Sequence, residues 1–314
     1  GVADFYINND QLALLVNSAV INNPNGAAVR LVITGYAAAD TTTLNFGGTP
    51  NSPGSGTGVP YSLYSGGLVV NGGTVVSNGT IPGGPITLNG AVLTLSGGSS
   101  IAAPPVFTLN NSTMNVSVPI TVGGLAFNST GSSGNFITLQ TNGANLTLPS
   151  NGAGITSTPT SVSSNDIATI NSSFPTAAFL SLNGVAQTFT VYPTLVNGVN
   201  MTPLQAGLLI NTAIIIDNAQ FSGITTPGSI ILTGGGVLQL NAQNTFSGGI
   251  HVEDGSSLII GGSSNPVANG AVVSGPLGTG TLTLDPNSSL ISTGAFIISP
   301  RMPIHHRLIS VKIE

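Results

Sequence analysis

The sequence of 314 residues contains no cysteine and no tryptophan, and only 4% of its residues are charged, against about 25% in an ordinary globular protein. Without cysteine, the chain has neither a disulfide framework nor a thiolate metal site. Between Asp40 and Asp166 there is no Asp, Glu, Lys or Arg. The surface must therefore be made polar by Asn, Ser, Thr and Gln instead of by charge.

This scarcity of charge indicates neither disorder nor a membrane span. A disordered chain is poor in β-branched residues and rich in charge, whereas this chain is 40% hydrophobic with a mean hydropathy of +0.40. A transmembrane helix needs about 20 successive apolar residues. The longest apolar stretch, 206–216, is shorter than that and is broken by Asn211 and Thr212. We therefore expect a β-protein without a transmembrane segment.

The charge balance excludes nucleic acid as a partner. The formal net charge is −5 with a pI near 4.8, and the basic residues are only Arg30, Arg301, Arg307 and Lys312. Binding of nucleic acid needs a basic patch that neutralises phosphates. The chain begins at Gly1 without a leader-like segment, so we expect a processed chain or a fragment.

Short apolar runs with period-2 alternation, separated by Gly, Asn, Ser or Pro, predict strands throughout the chain. The clearest runs are 68–70, 74–76, 86–88, 92–95, 106–109, 136–139, 145–148, 230–232, 237–240, 250–252, 257–260 and 281–284. The 43 Gly and 20 Pro residues interrupt the chain too often for ordinary helices. Only 10–20, 165–172 and 202–211 fit a helix, and each fits a strand equally well.

The chain also resembles itself in the segments that begin at residues 66, 84, 136, 236 and 278. Each has an apolar strand, an Asn-Gly-type corner, a second apolar strand and a Gly-Ser corner. Self-similarity at about 20–25 residues indicates stacked repeats, because one unit cannot bury its apolar face alone. We predict an all-β parallel β-helix (β-solenoid) of about a dozen rungs and about 60 Å, with hydrogen-bonded Asn ladders. The alternative is a β-sandwich fibre subunit, which strands of about 8–10 residues would favour.

One part of the chain, 234–290, matches a known repeat. Its matching residues are Leu238, Leu240, Asn244, Phe246, Ser247, Gly248, Gly249, Gly255 and 258–260, followed by the continuation at 277–284. This segment resembles the autotransporter-associated β-strand repeat. The resemblance implies a right-handed parallel β-helix on a bacterial surface, acting as a stalk or adhesin. No long run of alternating strands typical of a membrane barrel follows residue 298. We therefore expect a passenger without its barrel or a surface protein that carries the repeat alone.

The residues that carry acid–base or metal chemistry are few and scattered. Glu253 and Asp254 are adjacent, so on a strand they point to opposite faces, whereas a catalytic carboxylate pair must converge within about 5–10 Å. The other candidates in this half of the chain are Asp217, Asp285, His251, His305 and His306. Adjacent histidines diverge and have no Cys or acid beside them. We therefore predict no enzyme, no cofactor and no metal site.

Nine Asn-x-Ser/Thr triplets are candidate glycosylation sites. They begin at Asn78, Asn110, Asn111, Asn115, Asn128, Asn145, Asn171, Asn200 and Asn287. The abundance of Asn, Ser and Thr alone predicts a similar number, so the motif is a weak signal.

The chain divides into residues 1–60 as a capping or assembly region, 61–298 as solenoid repeats, and 299–314 as a final edge strand or a strand donated to another subunit. In the last segment Arg307, Leu308, Ile309, Val311 and Ile313 are the candidate assembly residues. A solenoid exposes unpaired backbone at both ends, and an uncharged surface provides little repulsion. Head-to-tail contacts that do not close generate filaments, so copies of the chain itself are the expected partners.

These observations favour an extracellular structural protein on the cell surface of a prokaryote, a rod or self-assembling filament subunit. The first alternative is an adhesin that binds surface glycans, with Tyr61, Tyr64 and the loop 47–58 as candidate contacts. The second is a polysaccharide-cleaving β-helix enzyme, which the lack of clustered carboxylates disfavours.

Overall fold

The computed structural model describes residues 1–10, 12–16, 26–44, 64–81, 83–96, 100–101, 104–131, 133–161, 167–217, 226–253, 255–266 and 272–295. Every helix or strand within these ranges is a β-strand, so the prediction of an all-β fold is confirmed. No helix in the described ranges is long and apolar enough to cross a membrane.

The strands are short and follow one another closely. In chain order they are β1 (Ala3–Asn9), β2 (Ala13–Val16), β3 (Val29–Gly35), β4 (Thr41–Leu44), β5 (Leu68–Asn71), β6 (Thr74–Ser77), β7 (Thr80–Ile81), β8 (Ile86–Asn89), β9 (Val92–Leu95), β10 (Ser100–Ile101), β11 (Val106–Asn110), β12 (Thr113–Val116), β13 (Ile120–Thr121), β14 (Gly124–Gly131), β15 (Asn135–Leu139), β16 (Leu146–Thr147), β17 (Ile155–Ser161), β18 (Ala168–Ser172), β19 (Phe179–Ser181), β20 (Ala186–Val191), β21 (Leu195–Val196), β22 (Val199–Asn200), β23 (Leu208–Ile210), β24 (Ile214–Ile216), β25 (Ser229–Thr233), β26 (Val237–Leu240), β27 (Ile250–Val252), β28 (Ser257–Ile260), β29 (Asn265–Pro266), β30 (Val272–Ser274), β31 (Leu282–Leu284) and β32 (Ser289–Ser292). The segments that also fitted a helix contain the strands β2, β18 and β23 instead.

Two parallel sheets of eleven strands each run the length of the molecule. The first has the order β1-β3-β5-β8-β11-β14-β17-β20-β25-β27-β31, and the second the order β2-β4-β6-β9-β12-β15-β18-β23-β26-β28-β32. The chain passes from the first sheet to the second and back, so each turn of the coil adds one rung to both. The prediction of a parallel β-helix is confirmed. The β-sandwich alternative is wrong, because a sandwich is built from antiparallel strands.

A third, less regular set of strands lies, in chain order, between a strand of the second sheet and the next strand of the first. Strands β13, β16, β19 and β24 form a four-stranded parallel sheet there, and β7 pairs with β10. Beyond β24 the stacking continues through single backbone bonds, from Thr245 N to Ile215 O at 3.0 Å and from Thr279 N to Phe246 O at 2.9 Å. The right-handed sense of the coil stays a prediction, supported by the strong preference of parallel crossovers for that hand.

The core is a set of columns in which each inward side chain stacks on its equivalents one rung above and below. One column joins the in-register residues Phe5, Leu31, Leu68, Ile86, Phe107, Leu125, Ile155, Phe189, Leu232, Val252 and Leu284. The nine members between Phe5 and Leu284 are all buried. Burial therefore comes from the neighbouring rungs, as in other stacked-repeat folds.

The rungs differ in length because loops are inserted between strands whose stacking is unchanged. The in-register residues Leu68 and Ile86 lie 18 residues apart. By contrast, Phe189 and Leu232 lie 43 residues apart, and the antiparallel hairpin β21–β22 is part of that insertion. The predicted period of about 20–25 residues describes the regular rungs and is too short for the others.

A predicted Asn ladder runs along the outward face of the first sheet. The Nδ2 of Asn89 donates to Asn71 Oδ1 at 2.7 Å, that of Asn110 to Asn89 Oδ1 at 2.6 Å, and that of Asn128 to Asn110 Oδ1 at 2.8 Å. A second ladder on the other sheet joins Asn171, Asn211 and Asn241. Stacked amides satisfy one another in register, so the ladders are confirmed and tie the rungs together outside the core.

Corners at the ends of β5 and β8 follow the predicted Asn-Gly pattern. Gly72 and Gly73 have φ of +68° and +66°, a region that residues with a Cβ seldom adopt. At Gly73 an added Cβ would also lie 2.9 Å from the backbone oxygen of Asp40. The corner therefore requires glycine both for its backbone conformation and for close packing against the rung below.

Candidate functional site

The first rung of the coil is open to solvent. Phe5 has the inward position of the core column, yet 49% of it is exposed, whereas Leu31 directly above it is fully buried. Ile7, two residues along β1, is half-buried and packs against the core. Among the described residues β1 pairs on one side only, with β3. The rung has the inward side chains of a core, and no described strand lies beneath it.

Further apolar side chains surround the open end. Val2 is 55% exposed, Tyr6 62%, Leu12 76% and Leu15 58%. Single exposed apolar residues are normal on a protein surface, but a contiguous group of them marks an interaction site. Together with Phe5, these four make up five of the thirteen large apolar side chains that are exposed among the described residues.

The backbone of β1 is also available for pairing. Ala3 donates its N–H to Ala28 O at 2.9 Å, and Asn9 O accepts from Tyr36 N at 3.4 Å. Successive residues of a strand direct their backbone groups to alternate sides, so those of Asp4, Tyr6 and Asn8 point away from β3. An edge with unpaired N–H and C=O groups is a template for another strand.

One ion pair joins the first two rungs on their outward face. Arg30 donates from Nε and from an Nη to the two oxygens of Asp4, each at 2.8 Å, and Tyr6 donates its hydroxyl to Asp4 at 3.1 Å. These hydrogen bonds, above all those from Arg30, hold the pKa of Asp4 below its ordinary value. The same contact raises the pKa of Tyr6, since the Tyr6 hydroxyl donates to the Asp4 carboxylate. The pair joins residues at in-register positions of β1 and β3.

The opposite end of the coil is more fully covered. Leu282 of β31 is 2% exposed, while Leu284 and Leu290 are half-buried and pack against the core. On the outward face His251 Nε2 lies 2.9 Å from Asp285 Oδ1, which joins the last two rungs. The candidate assembly residues of 299–314 lie outside the described residues.

In the described part of the chain, the acidic residues do not gather into a group that could hold a metal ion. Asp217 is buried, and its carboxylate accepts from Gly228 N, Ser247 N and the Ser247 hydroxyl, at 2.8 to 2.9 Å. These bonds hold a corner together. The described residues hold no group of three or more His, Asp or Glu placed to bind a metal. Asp254, His305 and His306 lie outside them.

The glycan contacts expected from the sequence need correction at Tyr64. The side chain is buried in the core, at 1% exposure, next to the start of β5. Burial raises its pKa far above the ordinary value. Tyr64 therefore cannot stack on a sugar. Tyr61 and the loop 47–58 lie outside the described residues.

The candidate glycosylation sites fall into two groups. Asn78, Asn200 and Asn287 are exposed. The amide nitrogens of Asn110, Asn111, Asn115 and Asn128 donate hydrogen bonds between rungs, and the amide oxygens of Asn145 and Asn171 accept them. A glycan attaches to the amide nitrogen, so the exposed group fits modification better.

Sequence reasoning placed assembly in residues 1–60 but did not identify β1 as the open edge. In the structure β1 to β4 belong to the same two sheets as the repeats. The sequence signal for β1 as a core strand was its alternation, in which Phe5 and Ile7 point inward and Asp4 and Tyr6 point outward.

Comparison of the chain with protein-family models, with curated proteins and with solved structures finds no match. The resemblance of 234–290 to the autotransporter-associated repeat stays a prediction.

Proposed function

We propose that the protein is an extracellular structural protein without catalysis, a surface rod whose copies join end to end into a filament. The observation that carries the proposal is Phe5, half-exposed at the foot of a column whose next nine members are buried. Burying apolar surface stabilises by about 25 cal/mol per Å². Any surface that continues the coil below β1 is therefore bound favourably.

The low charge of the flanks supports the same proposal. The strands from β5 to β17 lie wholly within the stretch from Asp40 to Asp166 that has no charged residue. Like charges on approaching rods repel one another, and here that repulsion is small. An end-to-end contact between unlike surfaces that does not close on itself extends into a fibre.

The extracellular location rests on two features. The segment 234–290 resembles a repeat of bacterial surface stalks, and it contains the strands β26, β27, β28 and β31 of the two long sheets. Eleven rungs at about 4.8 Å per strand give the rod a length of about 50 Å. Continuous sheets make such a rod stiff, which suits a spacer at a cell surface.

Light scattering and negative-stain electron microscopy of the full chain over a range of concentrations test the filament. We expect particles that lengthen as the concentration rises. Phe5→Asp should abolish this growth, because it places a carboxylate in the contact. The matched control is Phe174→Asp on the flank of the seventh rung, where Phe174 is 44% exposed. A chain that stays monomeric throughout, or equal assembly by both variants, would overturn the proposal.

A second function, binding of a neutral glycan along the flank, is favoured by the outward face of the first sheet. Thr87 and Thr108 are in register there, as are Thr156 and Thr190 two rungs further on. Tyr192, 45% exposed, follows directly. Hydroxyls beside an exposed aromatic ring are the usual chemistry of sugar binding. A glycan array probed with the full chain and with the Tyr192→Ala variant tests this second function. If the variant binds glycans as well as the full chain does, the second function is wrong.

A further inference from the structure

We propose that the Asn197–Gly198 pair, at the tip of the hairpin β21–β22, is a site of covalent modification at which the protein deamidates spontaneously. Seven Asn-Gly pairs lie wholly within the described residues, and they begin at Asn71, Asn78, Asn89, Asn142, Asn151, Asn183 and Asn197. Of these seven, the pair at the hairpin tip should react first. Water is the co-reactant, and assembly of the rod plays no part in the reaction.

The reaction is an attack within the chain. The glycine backbone nitrogen loses its proton and forms a bond to the asparagine side-chain carbon Cγ, while the bond from Cγ to the amide nitrogen breaks and ammonia leaves. Water then opens the resulting cyclic imide at either carbonyl carbon and gives aspartate or isoaspartate. Glycine favours the attack because it has no Cβ and restricts the backbone least. The two atoms must reach a near-attack geometry, so the nitrogen must be free to turn toward Cγ.

Five of the seven glycine nitrogens are held in backbone hydrogen bonds. These bonds, at 2.7 to 3.3 Å between nitrogen and oxygen, are donated by Gly72, Gly90, Gly143, Gly152 and Gly184. A nitrogen engaged in this way cannot turn toward Cγ until the bond breaks. Within the described residues neither Gly79 nor Gly198 donates such a bond. The candidates are therefore the pairs Asn78–Gly79 and Asn197–Gly198.

The pair Asn78–Gly79 is fixed between rungs. Asn78 is exposed, but its backbone N–H donates to Leu44 O at 2.9 Å, and its side-chain oxygen accepts from the Ser96 hydroxyl. Gly79 is buried. Because Leu44 and Ser96 belong to the rungs on either side, the side chain and the backbone of Asn78 are both held in place while the coil is folded.

The pair Asn197–Gly198 has no such support. Both residues are exposed, and their φ angles are +51° and +76°, as in the two-residue hairpin turns that favour Asn-Gly. A Cβ added at Gly198 would meet no atom within 4 Å. The tip of the hairpin therefore projects away from the coil without packing against it.

Opening of this hairpin should cost less free energy than opening of a rung. Strands β21 and β22 are paired over two residues each; those of β21 are half-buried and those of β22 are exposed. A two-stranded hairpin is marginally stable by itself, and local opening is easiest where few apolar contacts are buried. By contrast, Asn71 and Asn89 end strands that are paired on both sides, and their amides are joined at 2.7 Å.

Deamidation at Asn197 places charge in a neutral part of the chain. Between Asp166 and Asp217 there is no Asp, Glu, Lys or Arg. A carboxylate that replaces the neutral amide changes the formal net charge from −5 to −6. The isoaspartate product also adds one carbon atom to the backbone of the turn, which weakens the pairing of β21 with β22.

Incubation of the full chain in oxygen-18 water at mildly alkaline pH tests the site, because the heavy oxygen marks carboxyl groups formed during the incubation. Digestion with chymotrypsin in ordinary water, followed by mass spectrometry, gives the rate at each pair; trypsin has no cleavage site between Arg30 and Arg301. We expect Asn197 to take up label at least about tenfold faster than Asn78. Equal or faster uptake at Asn78, Asn71 or Asn89 would overturn the proposal.

The same incubation in urea separates the effect of the fold from that of the local sequence. Once the coil is unfolded, the glycine nitrogens lose their hydrogen bonds, and the seven pairs should react at similar rates. If Asn197 leads by the same factor in urea as in the folded chain, its neighbours in sequence set the rate and the hairpin does not.

The variant Gly198→Ala tests the attacking nitrogen. The added Cβ hinders the approach to Cγ, so label uptake at Asn197 should fall at least about tenfold while uptake at Asn78 stays unchanged. A positive φ strains alanine and would loosen the turn, which by itself would speed the reaction, so a slower rate reports the hindrance. Unchanged uptake at Asn197 would mean that the Gly198 nitrogen is not the attacking group.

Discussion

Equivalent core positions in the first and fifth rungs of the coil differ in exposure because their surroundings differ. Phe5 on β1 and Phe107 on β11 belong to the same core column and have the same inward orientation, yet their exposed fractions are 49% and 0%. Strand β11 has β8 and β14 on its two sides, whereas β1 has β3 alone among the strands that the structure describes. Burial in this fold is thus given by the adjacent rungs, and an end rung is incomplete by construction.

The distribution of charge follows the same contrast. The middle rungs, from β5 to β17, carry no charged residue, while Asp4 pairs with Arg30 at one end and Asp285 with His251 at the other. Charges on terminal strands limit indiscriminate edge-to-edge pairing. The strands of the rungs between the ends are already paired on both sides. Charged residues are therefore not needed there to prevent edge pairing, and neutral Asn and Thr make the surface polar. In the proposed filament, the ends are therefore the parts of the molecule that would select a partner.

Replacing the two phenylalanines by alanine gives the largest expected contrast. Phe107→Ala should lower the free energy of unfolding by about 3–5 kcal/mol, since it opens a cavity in a closed core. Phe5→Ala should lower it by less than about 1 kcal/mol in the monomer, because half of that ring is already in water. Urea unfolding at low protein concentration measures both. Equal losses would mean that the first rung is covered within one molecule.

The Asn ladder offers a smaller contrast between middle and end. Asn89 accepts from Asn110 and donates to Asn71, so Asn89→Ala breaks two bonds and leaves partners unsatisfied. We expect a loss of about 1–2 kcal/mol in urea unfolding. Asn8 has the same column position on the first rung, where Thr34 separates it from the ladder. Asn8→Ala should therefore change stability by less than about 0.5 kcal/mol, and a comparable loss there would contradict the ladder's role.

Much of the coil could be predicted because its signals are local. Alternation over four residues was enough to give the bounds of β9, β26 and β28 as the structure has them. Asn residues that recur in stacked repeats predicted the ladder. Stacking of equal units turns these local signals into a long-range arrangement, because each strand pairs with its own equivalent one turn later.

The remaining features depend on contacts that no local pattern encodes. The hydrogen bonds from Gly228 and Ser247 to Asp217 join residues 11 and 30 positions apart, so the sequence gives no sign that this acid is structural. Tyr64 stands before a strand, where alternation does not decide whether the ring points inward. Phe5 has the alternation of any core strand, and it becomes a candidate contact only because no strand within the described ranges lies beneath it.

The smallest expected effect concerns the ion pair that holds the first rung to the second. Because Arg30 keeps the pKa of Asp4 below its ordinary value, the pair stabilises the fold above about pH 4 and loses its effect as the pH falls through that lowered pKa. In Arg30→Ala the carboxyl group of Asp4 should titrate with a pKa nearer its ordinary value. Carbon-13 NMR of the Asp4 carboxyl carbon measures this titration. Arg30→Lys, which keeps the charge but not the two-pronged geometry, should give an intermediate midpoint. An unchanged midpoint in Arg30→Ala would show that β1 is not held in register by this pair, and that the open rung is kept in place by Ile7 and its backbone bonds alone.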